Sequence, residues 1–403
     1  MLGIIGPGII TATVDNDAGG ITTYSIAGAH FGYSLLWTLI PITILLIIVQ
    51  EMCARMGVVT GKGLSDLIRE NFGVRITMFI MAGLIFANVF VTVAEFAGMA
   101  AVGEMVGISR YVIVPLAAFA VLLLTVKLNY RALEKIFLVM TVFYVSYIIS
   151  GIMSKPDWGF VIQQTFVPSF SFEPAYLILL VGVIGTTITP WMQFYLQSSI
   201  VEKGVKVRDY KYCKWDVILG CISTDVVSFF IIVACATVLF PQGIRIDSAV
   251  EAAKALQPLA GEYAYLLFAL GFFAAAFFGA FILPISTSFY VCEAFGWESG
   301  VNKKFRQASG FYTLLALIIG IGAGVILIPG MPLITIMLMA QVINGVILPF
   351  VLLAILKLAS NPAIMGEYTN PPWLNAVAWA SCIIIMIISI LMVLTTLNPA
   401  LLW

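Results

Sequence analysis

Long apolar runs, separated by short polar connections, fill almost the whole of this sequence. They predict eleven helices, at roughly 3–28, 34–56, 76–106, 111–127, 132–153, 174–202, 216–240, 262–297, 310–328, 332–358 and 373–398. An α-helix needs about 20 mostly apolar residues to cross a bilayer, and most of the runs reach that length. The connections are too short for an inserted soluble domain. The pattern therefore predicts an all-α polytopic membrane protein in which residues 1–403 form one transmembrane domain.

Composition agrees with this interpretation and removes other classes of protein. Hydrophobic residues make up 62% of the chain and charged residues 10%, whereas a soluble domain carries about 25% charged residues. The formal net charge is zero, which gives no electrostatic basis for binding nucleic acid. The six cysteines show no CxxC pair and mostly lie in apolar runs, as packing residues do. The partner that this composition requires is the lipid bilayer.

Lys and Arg residues predict how the chain is oriented, since cytoplasmic loops collect positive charge. If the N-terminus is cytoplasmic, sixteen of the 20 fall in inner loops and four in outer loops. The four outer residues are Arg110, Lys155, Arg245 and Lys254. We therefore expect a cytoplasmic N-terminus and an external C-terminus, in an inner or plasma membrane of prokaryotic type.

The first apolar run is interrupted near its centre by Asp15, Asn16, Asp17, Gly19 and Gly20. An acidic side chain at the middle of a bilayer costs about 2.5–3.5 kcal/mol, and adjacent glycines weaken a helix. A solvated loop between two short helices is the simpler alternative, but neither half is long enough to span the bilayer. The run therefore predicts a membrane helix that is unwound at its centre.

The sixth apolar run contains a second interruption, at Gly185, Thr186, Thr187, Thr189 and Pro190. Proline has no N–H group and clashes with the preceding turn, so backbone carbonyls near Thr186 lose their helical partner. Such carbonyls are tolerated in hydrocarbon only where they line protein or a water-filled cavity. Proline kinks are common in membrane helices, so this interruption alone is weak evidence for a binding site. It becomes informative only together with the interruption in the first run.

The two interruptions occupy matching places in two five-helix halves, at roughly 1–155 and 170–358, with an extra helix at 373–398. This arrangement is typical of an inverted-repeat transporter of the LeuT type, whose substrate binds between two broken helices. Unwound carbonyls, an aspartate and the negative C-terminal ends of half-helices favour a cation as the substrate.

Five segments together resemble the Nramp family of divalent metal transporters, and within it the Nramp-related magnesium transporters. They are GPGIITATVDNDAGG at 6–20, AGAHFGY at 27–33, EMCARMGVVTGKGLSDLIRENFG at 51–73, NYRALEK at 129–135 and QVINGVILPF at 341–350. The resemblance extends over nearly the whole chain. It implies a monomeric transporter without a cofactor, which carries the metal ion as its substrate by alternating access.

The resemblance also locates a metal site, with two substitutions. The family has Asp-Pro-Gly-Asn in the first helix and Ala-x-x-Met-Pro-His in the sixth, and the Asp, Asn and Met side chains bind the metal. Here Asp17 keeps the aspartate, whereas Gly20 and Thr189 replace the Asn and the Met. Gln341 matches a glutamine that approaches the metal, or else makes an interhelical hydrogen bond. The implied metal-binding residues are Asp17, Gly20, Thr186, Thr189 and Gln341, surrounded by Asp15, Asn16, Gly19, Pro190, Trp191 and Glu95.

The two substitutions indicate which metal is carried. Thioether sulfur is a soft ligand suited to transition metals, and the hydroxyl of Thr189 removes that preference. Gly20 removes an amide ligand and is expected to open volume at the site. Mg²⁺ usually keeps several waters and binds one or two carboxylates, so we expect partly hydrated Mg²⁺, with Mn²⁺ also carried. Asp15 either holds a metal-bound water, caps the broken helix or pairs with another group.

Residues of the family's proton pathway are largely replaced. Glu95 is kept in the third helix, but Thr92 stands where the family has Asp. Trp191 replaces a His of the sixth helix, and Gln197 stands near a second His position. Thr, Trp and Gln do not titrate near neutral pH. The resemblance therefore predicts transport without proton coupling, driven by the cation gradient and the membrane potential.

Three other functions are alternatives. An ordinary Nramp protein with a degraded motif would be a proton-coupled Mn²⁺/Fe²⁺ carrier. A sodium-coupled amino-acid carrier would share the architecture, but Asp17 would repel the carboxylate of its substrate. An intramembrane enzyme would need a nucleophile–base pair or a histidine-rich metal centre, and the single His argues against it. We therefore expect no enzymatic activity.

Overall fold

The protein is built from α-helices, as a computed structural model shows for residues 6–127, 144–301 and 303–397, the part of the chain that it describes. In chain order the helices are α1 (Pro7–Thr13), α2 (Ala18–Phe31), α3 (Leu36–Thr60), α4 (Leu64–Met105), α5 (Arg110–Lys127), α6 (Val145–Met153), α7 (Trp158–Phe166), α8 (Pro174–Thr187), α9 (Pro190–Lys203), α10 (Tyr210–Val238), α11 (Ala264–Phe295), α12 (Ser309–Ile326), α13 (Leu333–Ala359) and α14 (Pro372–Leu397). Short helices at Ala249–Ala253, Gln257–Ala260 and Pro362–Met365 lie in the connections. This part of the chain contains no β-strand, and the prediction of an all-α protein is confirmed.

Eight helical stretches in the described ranges are long and apolar enough to cross a bilayer. They comprise α3, α4, α8 with α9, α10, α11, α12, α13 and α14, while α5 is a shorter apolar helix. The first predicted run is divided into α1 and α2. In the fifth predicted run, 132–143 lies outside the described residues, as does the NYRALEK segment. The number of eleven spanning helices therefore stays a prediction.

The third predicted run differs from its expected bounds, because helical structure begins at Leu64 rather than at 76. Gly73, with φ 77° and ψ 170°, interrupts the helical backbone near the start of α4. Glycine adopts this conformation far more readily than other residues, so the chain bends there and the polar stretch before it forms a helical segment. An ion pair between Lys62 and Glu70 (Nζ–Oε2 2.7 Å) holds this segment to the end of α3. Because this segment is polar, a search for apolar runs does not detect it as helical.

The two interrupted helices lie at the centre of the bundle. Helix α4 packs along α11, α12 and α13, and α10 packs along α1, α2 and α3. In the most apolar part of the α8–α9 stretch 89% of the residues are buried, against 28% in α14. The sixth predicted run is therefore enclosed by protein, whereas the last helix lies at the periphery.

Close contact between α8 and α13 depends on glycines on both helices. A Cβ atom at Gly185 would overlap the carbonyl oxygen of Gln341 and the backbone nitrogen of Gly345. A Cβ atom at Gly345 would in turn overlap the carbonyl oxygen of Val181. Small residues allow membrane helices to approach in this way and to gain van der Waals contact. The contact also fixes the backbone of Gln341 beside the sixth predicted run.

Replacing Gly185 with alanine should force α8 and α13 apart and destabilise the fold by about 1–3 kcal/mol, the usual cost of overpacking. The melting temperature of the purified protein measures this effect, taken as the temperature at which the protein loses its monodisperse size-exclusion peak. Gly320→Ala on α12 is the matched control, because no atom lies within 4 Å of the added Cβ. Alanine favours a helix by about 1 kcal/mol over glycine, so the control should keep or raise the melting temperature. Equal stability of the two variants would contradict the proposed contact.

Candidate metal-binding site

Asp17 marks the end of the first interruption. Helix α1 ends at Thr13, a 3₁₀ turn runs over Val14–Asn16, and Asp17 is extended (φ −68°, ψ −176°) before α2 begins at Ala18. The Oδ1 atom of Asp17 accepts a hydrogen bond from the backbone nitrogen of Gly20 (2.7 Å). Asp17 is therefore the N-cap of α2, where its negative charge faces the positive end of the helix dipole.

The second interruption differs from the prediction in the role of Pro190. Helix α8 ends at Thr187, and α9 begins at Pro190. Proline suits the first position of a helix, since its missing N–H needs no partner there. Pro190 therefore starts a new helix instead of kinking a continuous one. Thr189 lies in the gap with an extended backbone (φ −65°, ψ 133°).

The two interruptions meet beside Gly20. A Cβ atom there would overlap the carbonyl oxygen of Asp15 and lie 3.0 Å from the Oγ1 atom of Thr186. One turn further along α2, the hydroxyls of Tyr24 and Thr187 form a hydrogen bond (2.7 Å). The expectation that Gly20 opens volume is wrong, because these protein oxygen atoms already fill the space next to it. Glycine at this position brings the two interruptions into contact.

Gln341 on α13 reaches the first interruption. Its Nε2 atom donates a hydrogen bond to Oδ1 of Asp17 (3.4 Å), and its Oε1 atom accepts one from Nδ2 of Asn344 (2.9 Å). A Cβ atom at Gly19 would overlap Nε2 of Gln341, so glycine at this position makes the approach possible. The interhelical hydrogen bond considered for Gln341 is therefore present, and it ends on the carboxylate of Asp17.

Several polar atoms near the interruptions have no hydrogen-bond partner among the residues that the structure describes. They are the hydroxyl oxygens of Thr186 and Thr189, both carboxylate oxygens of Asp15 and the Oε1 atom of Glu95, all of them buried. A buried polar atom without a partner is costly unless water or an ion satisfies it. The unsatisfied oxygens around Asp17 therefore suit a cation that keeps part of its water.

Three acidic side chains lie near one another around Asp17, and no basic partner is found for them in the described part of the chain. Glu95 on α4 accepts a hydrogen bond from the backbone nitrogen of Ala18 through Oε2 (3.2 Å). Asp15, Asp17 and Glu95 are each at most 2% exposed, and no ion pair within the described ranges includes any of them. Buried carboxylates require a counter-charge or protons. A bound divalent cation would supply that counter-charge.

Other predicted residues take part in structural contacts. The hydroxyl of Thr92 donates to the carbonyl oxygen of Asn88 (2.8 Å) within α4. Nε2 of Gln197 donates to the carbonyl oxygen of Lys62 (2.9 Å), which joins α9 to the connection before α4. Trp191 is buried in the first turn of α9, and its indole nitrogen has no partner. The side chain of Gln197 therefore joins two parts of the chain, whereas the hydroxyl of Thr92 is bonded within its own helix.

Asn16 fastens the first interruption to α10. Its Nδ2 atom donates to the carbonyl oxygen (3.1 Å) and to the hydroxyl (2.7 Å) of Thr224. Its Oδ1 atom accepts from the hydroxyl of Ser228 (3.1 Å). The amide is therefore occupied at both ends and is not free to bind a metal. For Asp15, the alternative of a helix cap is wrong, because Asp17 caps α2.

Three polar residues near the interruptions were missing from the predicted metal set, namely Tyr24, Asp225 and Asn344. Asp225 is buried on α10 and lies within electrostatic reach of Asp15. Asp225 and Asn344 carry a sequence signal, since each is a polar residue inside an apolar run. Asn344 also follows Gln341 by one helical turn, which places both on one face of α13. Tyr24 carries no such signal, because tyrosines are ordinary in membrane helices.

Comparison with protein families and curated sequences gives a consistent result. The Nramp family model, described as natural resistance-associated macrophage protein-like, matches residues 8–395. The divalent metal cation transporter MntH of Bacillus subtilis is 25% identical, over 98% of this chain and 93% of the relative. The transporter of the same name from Klebsiella pneumoniae is 26% identical, over 96% of this chain and 92% of the relative.

Solved structures share the fold. The Eremococcus coleocola manganese transporter in complex with an aromatic bis-isothiourea compound matches with a TM-score of 0.76 at 22% identity, over 97% of this chain and 85% of that chain. MhsT in complex with L-phenylalanine matches with a TM-score of 0.59 at 13% identity, over 96% of this chain and 98% of that chain. The prediction of a LeuT-like fold with two broken helices is confirmed. Because the family model spans nearly the whole chain, this protein belongs to the Nramp family of divalent metal transporters and is a multi-pass membrane transporter rather than an enzyme.

Proposed function

We propose that this protein carries Mg²⁺, and Mn²⁺ in addition, through a site between the two interrupted helices, as the Nramp-related magnesium transporters do. The observation that carries the proposal is the chemistry of the available ligand atoms. They are oxygens, from the carboxylate of Asp17 and the unbonded hydroxyls of Thr186 and Thr189. Hard cations prefer oxygen, and Mg²⁺ needs only one or two carboxylates because it keeps much of its water.

A thioether does lie in this region, on a different helix. Met337 on α13 is buried, and its sulfur accepts a hydrogen bond from the hydroxyl of Thr22 (3.5 Å). Thr189, in contrast, occupies the position where the Nramp motif places its metal-binding methionine. The soft ligand of the sixth helix is therefore replaced by a hydroxyl, which supports a preference for a hard cation.

Access to this site requires movement. Asp17 and Thr189 are each 2% exposed and Gln341 is fully buried, so the candidate ligands are closed to solvent. In our proposal, the broken helices α1–α2 and α8–α9 move against the other helices and open the site to each side in turn. The two halves, 1–155 and 170–358, act as the repeats of this mechanism. The positive-inside pattern supports a cytoplasmic N-terminus.

The driving force in our proposal is the cation gradient together with the membrane potential. For a divalent ion, a potential of 100 mV supplies roughly 4–5 kcal/mol, enough for accumulation without a coupled ion. Thr92, Trp191 and Gln197 replace titratable residues of the family pattern. The hydrogen bonds that Thr92 and Gln197 make to backbone carbonyls are structural and require no proton transfer.

A proton-coupled Mn²⁺/Fe²⁺ transporter of ordinary Nramp type is the second candidate function. It is favoured by the names of the relatives, which include divalent metal cation transporters and a manganese transporter. Glu95 also supports it, since this buried acid contacts the first turn of α2 next to Asp17 and could carry a proton. The two candidates differ in the metal that enters and in whether protons accompany it.

Uptake into proteoliposomes separates the two candidates. We expect Mg²⁺ and Mn²⁺ to enter without acidification of the lumen, which an internal pH dye reports. The initial rate should rise when the interior is made negative, since the divalent charge crosses the membrane uncompensated. Protein-free liposomes measure the passive leak of each metal. Uptake of Ca²⁺ measures how far the transporter discriminates among divalent cations. Entry of Mn²⁺ alone, with metal-dependent acidification, would overturn the proposal and support the proton-coupled candidate.

A further inference from the structure

Asp15 and Asp225 form a pair of buried carboxylates next to the candidate site. Asp15 lies in the turn after α1 and is 1% exposed, and Asp225 lies midway along α10 and is 5% exposed. All four carboxylate oxygens are buried and have no hydrogen-bond partner in the described ranges. The charged groups within reach of Asp15 are Asp225 and Asp17, both acidic. No basic group is among the residues that act on either acid, so each needs a cation or a proton as its counter-charge.

Hydrogen bonds between the neighbouring residues hold this pair in place. Asn16, directly after Asp15, donates to the backbone and the hydroxyl of Thr224, directly before Asp225. Ser228, one turn further along α10, donates to the amide oxygen of Asn16 (3.1 Å). The turn after α1 and the middle of α10 are thereby fastened at the point where each presents an acid. The two carboxylates are positioned by the fold itself.

Nearby donors do not satisfy the two acids. The hydroxyl of Thr43 on α3 faces Asp225 but donates to the carbonyl oxygen of Leu39 (2.6 Å). The hydroxyl of Tyr24 is within reach of both acids but is bonded to Thr187 (2.7 Å). A pair of buried carboxylates without donors is strongly disfavoured in its charged form unless a cation or protons supply the counter-charge, and a cation between them supplies it for both at once. Two carboxylates with several waters are a common ligand set for Mg²⁺.

We propose that Asp15 and Asp225 form a second station for the divalent cation, on the α1 side of Asp17. An ion that leaves Asp17 is held there, with part of its water, before it leaves the protein. Under the predicted orientation the second station lies on the cytoplasmic side of the first. This inference rests on the proposed function, because it takes Asp17 as the first station.

Binding of Mn²⁺ to the full-length protein tests the second station, with Asp17→Asn as the background. Equilibrium dialysis of the purified protein should show that this variant still binds one Mn²⁺ per chain. Adding Asp225→Asn, or Asp15→Asn, should weaken that remaining binding by more than about tenfold. Glu293→Gln is the matched control, because half-buried Glu293 also has a buried, unbonded carboxylate oxygen (Oε2), but its neighbours are Ser198, Asp66 and Glu202. Asp17→Asn/Glu293→Gln should therefore keep its ion.

Each outcome separates the second station from the proposed function. If Asp17→Asn binds no Mn²⁺, or binds it equally well with and without Asp225, the second station is refuted. If the wild type binds no Mn²⁺, the proposed function fails as well. Displacement of the bound Mn²⁺ by Na⁺ at equal concentration would refute a divalent station and indicate a sodium site. Size-exclusion profiles of all variants show whether each one is folded.

Discussion

Replacing Asp17 with alanine should abolish uptake of both Mg²⁺ and Mn²⁺. Asp17 is the buried carboxylate at which α2, α13 and the first interruption meet. Its loss removes a charged ligand and also the N-cap of α2, which contributes about 0.5–2 kcal/mol. We expect transport to fall by more than about 100-fold, beyond the 10–100-fold typical of residues that only support a ligand. Initial rates of metal uptake into proteoliposomes give the measurement.

Asp17→Asn distinguishes the charge of this residue from its structural role. Asparagine is as good an N-cap as aspartate, so this variant should keep the wild-type melting temperature. It should nevertheless lose transport to nearly the same extent as the alanine variant, because an amide oxygen is a weak substitute for a carboxylate. Glu293→Gln, which replaces an acid whose neighbours are Ser198, Asp66 and Glu202, should transport normally. Wild-type uptake by Asp17→Asn would show that the carboxylate is not the metal ligand.

Replacing Thr189 with methionine should shift selectivity from Mg²⁺ towards Mn²⁺. The substitution exchanges a buried, unbonded hydroxyl for a thioether in the gap between α8 and α9. Methionine is flexible enough to fit an irregular space, and its soft sulfur favours transition metals. We expect the ratio of Mn²⁺ to Mg²⁺ uptake to rise by about tenfold, equivalent to about 1.4 kcal/mol of differential stabilisation. Competition of Mg²⁺ with Mn²⁺ uptake measures this ratio.

The Thr189→Val variant is the necessary comparison for this experiment. Valine has nearly the shape of threonine and lacks both the hydroxyl and the sulfur. It should lower the uptake of both metals without changing their ratio much. If methionine and valine variants show the same ratio, sulfur has no access to the metal, and the assignment of Thr189 to the ligand set is wrong.

The two interruptions could be predicted from the sequence because their causes are local. Asp15 and Asp17 inside an apolar run are costly in any membrane helix, whatever surrounds them. A proline beyond the first turn disrupts the hydrogen bonds of a helix, so Pro190 excludes a continuous regular helix through the sixth run. Its use as the first residue of α9 depends on the extended backbone of Thr189, and that local geometry is not visible in the residue pattern.

Contacts between distant parts of the chain could not be predicted in the same way. The close approach of Thr186 to Gly20, and the bonds from Asn16 to Thr224, depend on how helices far apart in sequence pack together. Glycine at position 20, where the family has asparagine, suggested open space at the site. In the folded chain the carbonyl oxygen of Asp15 occupies that space. Apolar periodicity defines helices, but the register between them is set by side-chain shape across the whole bundle.

A single oxygen atom, Oδ1 of Asp17, accepts hydrogen bonds both from the backbone of Gly20 and from the side chain of Gln341. A cation that binds through this same oxygen would compete with both donors. If the ion of the proposed function binds through this oxygen, we expect it to loosen the first turn of α2 and the hydrogen bond to α13 together, at a cost comparable to a helix cap, about 0.5–2 kcal/mol. In the proposed mechanism, occupancy of the site would then be thermodynamically linked to the freedom of α2 to move against α13.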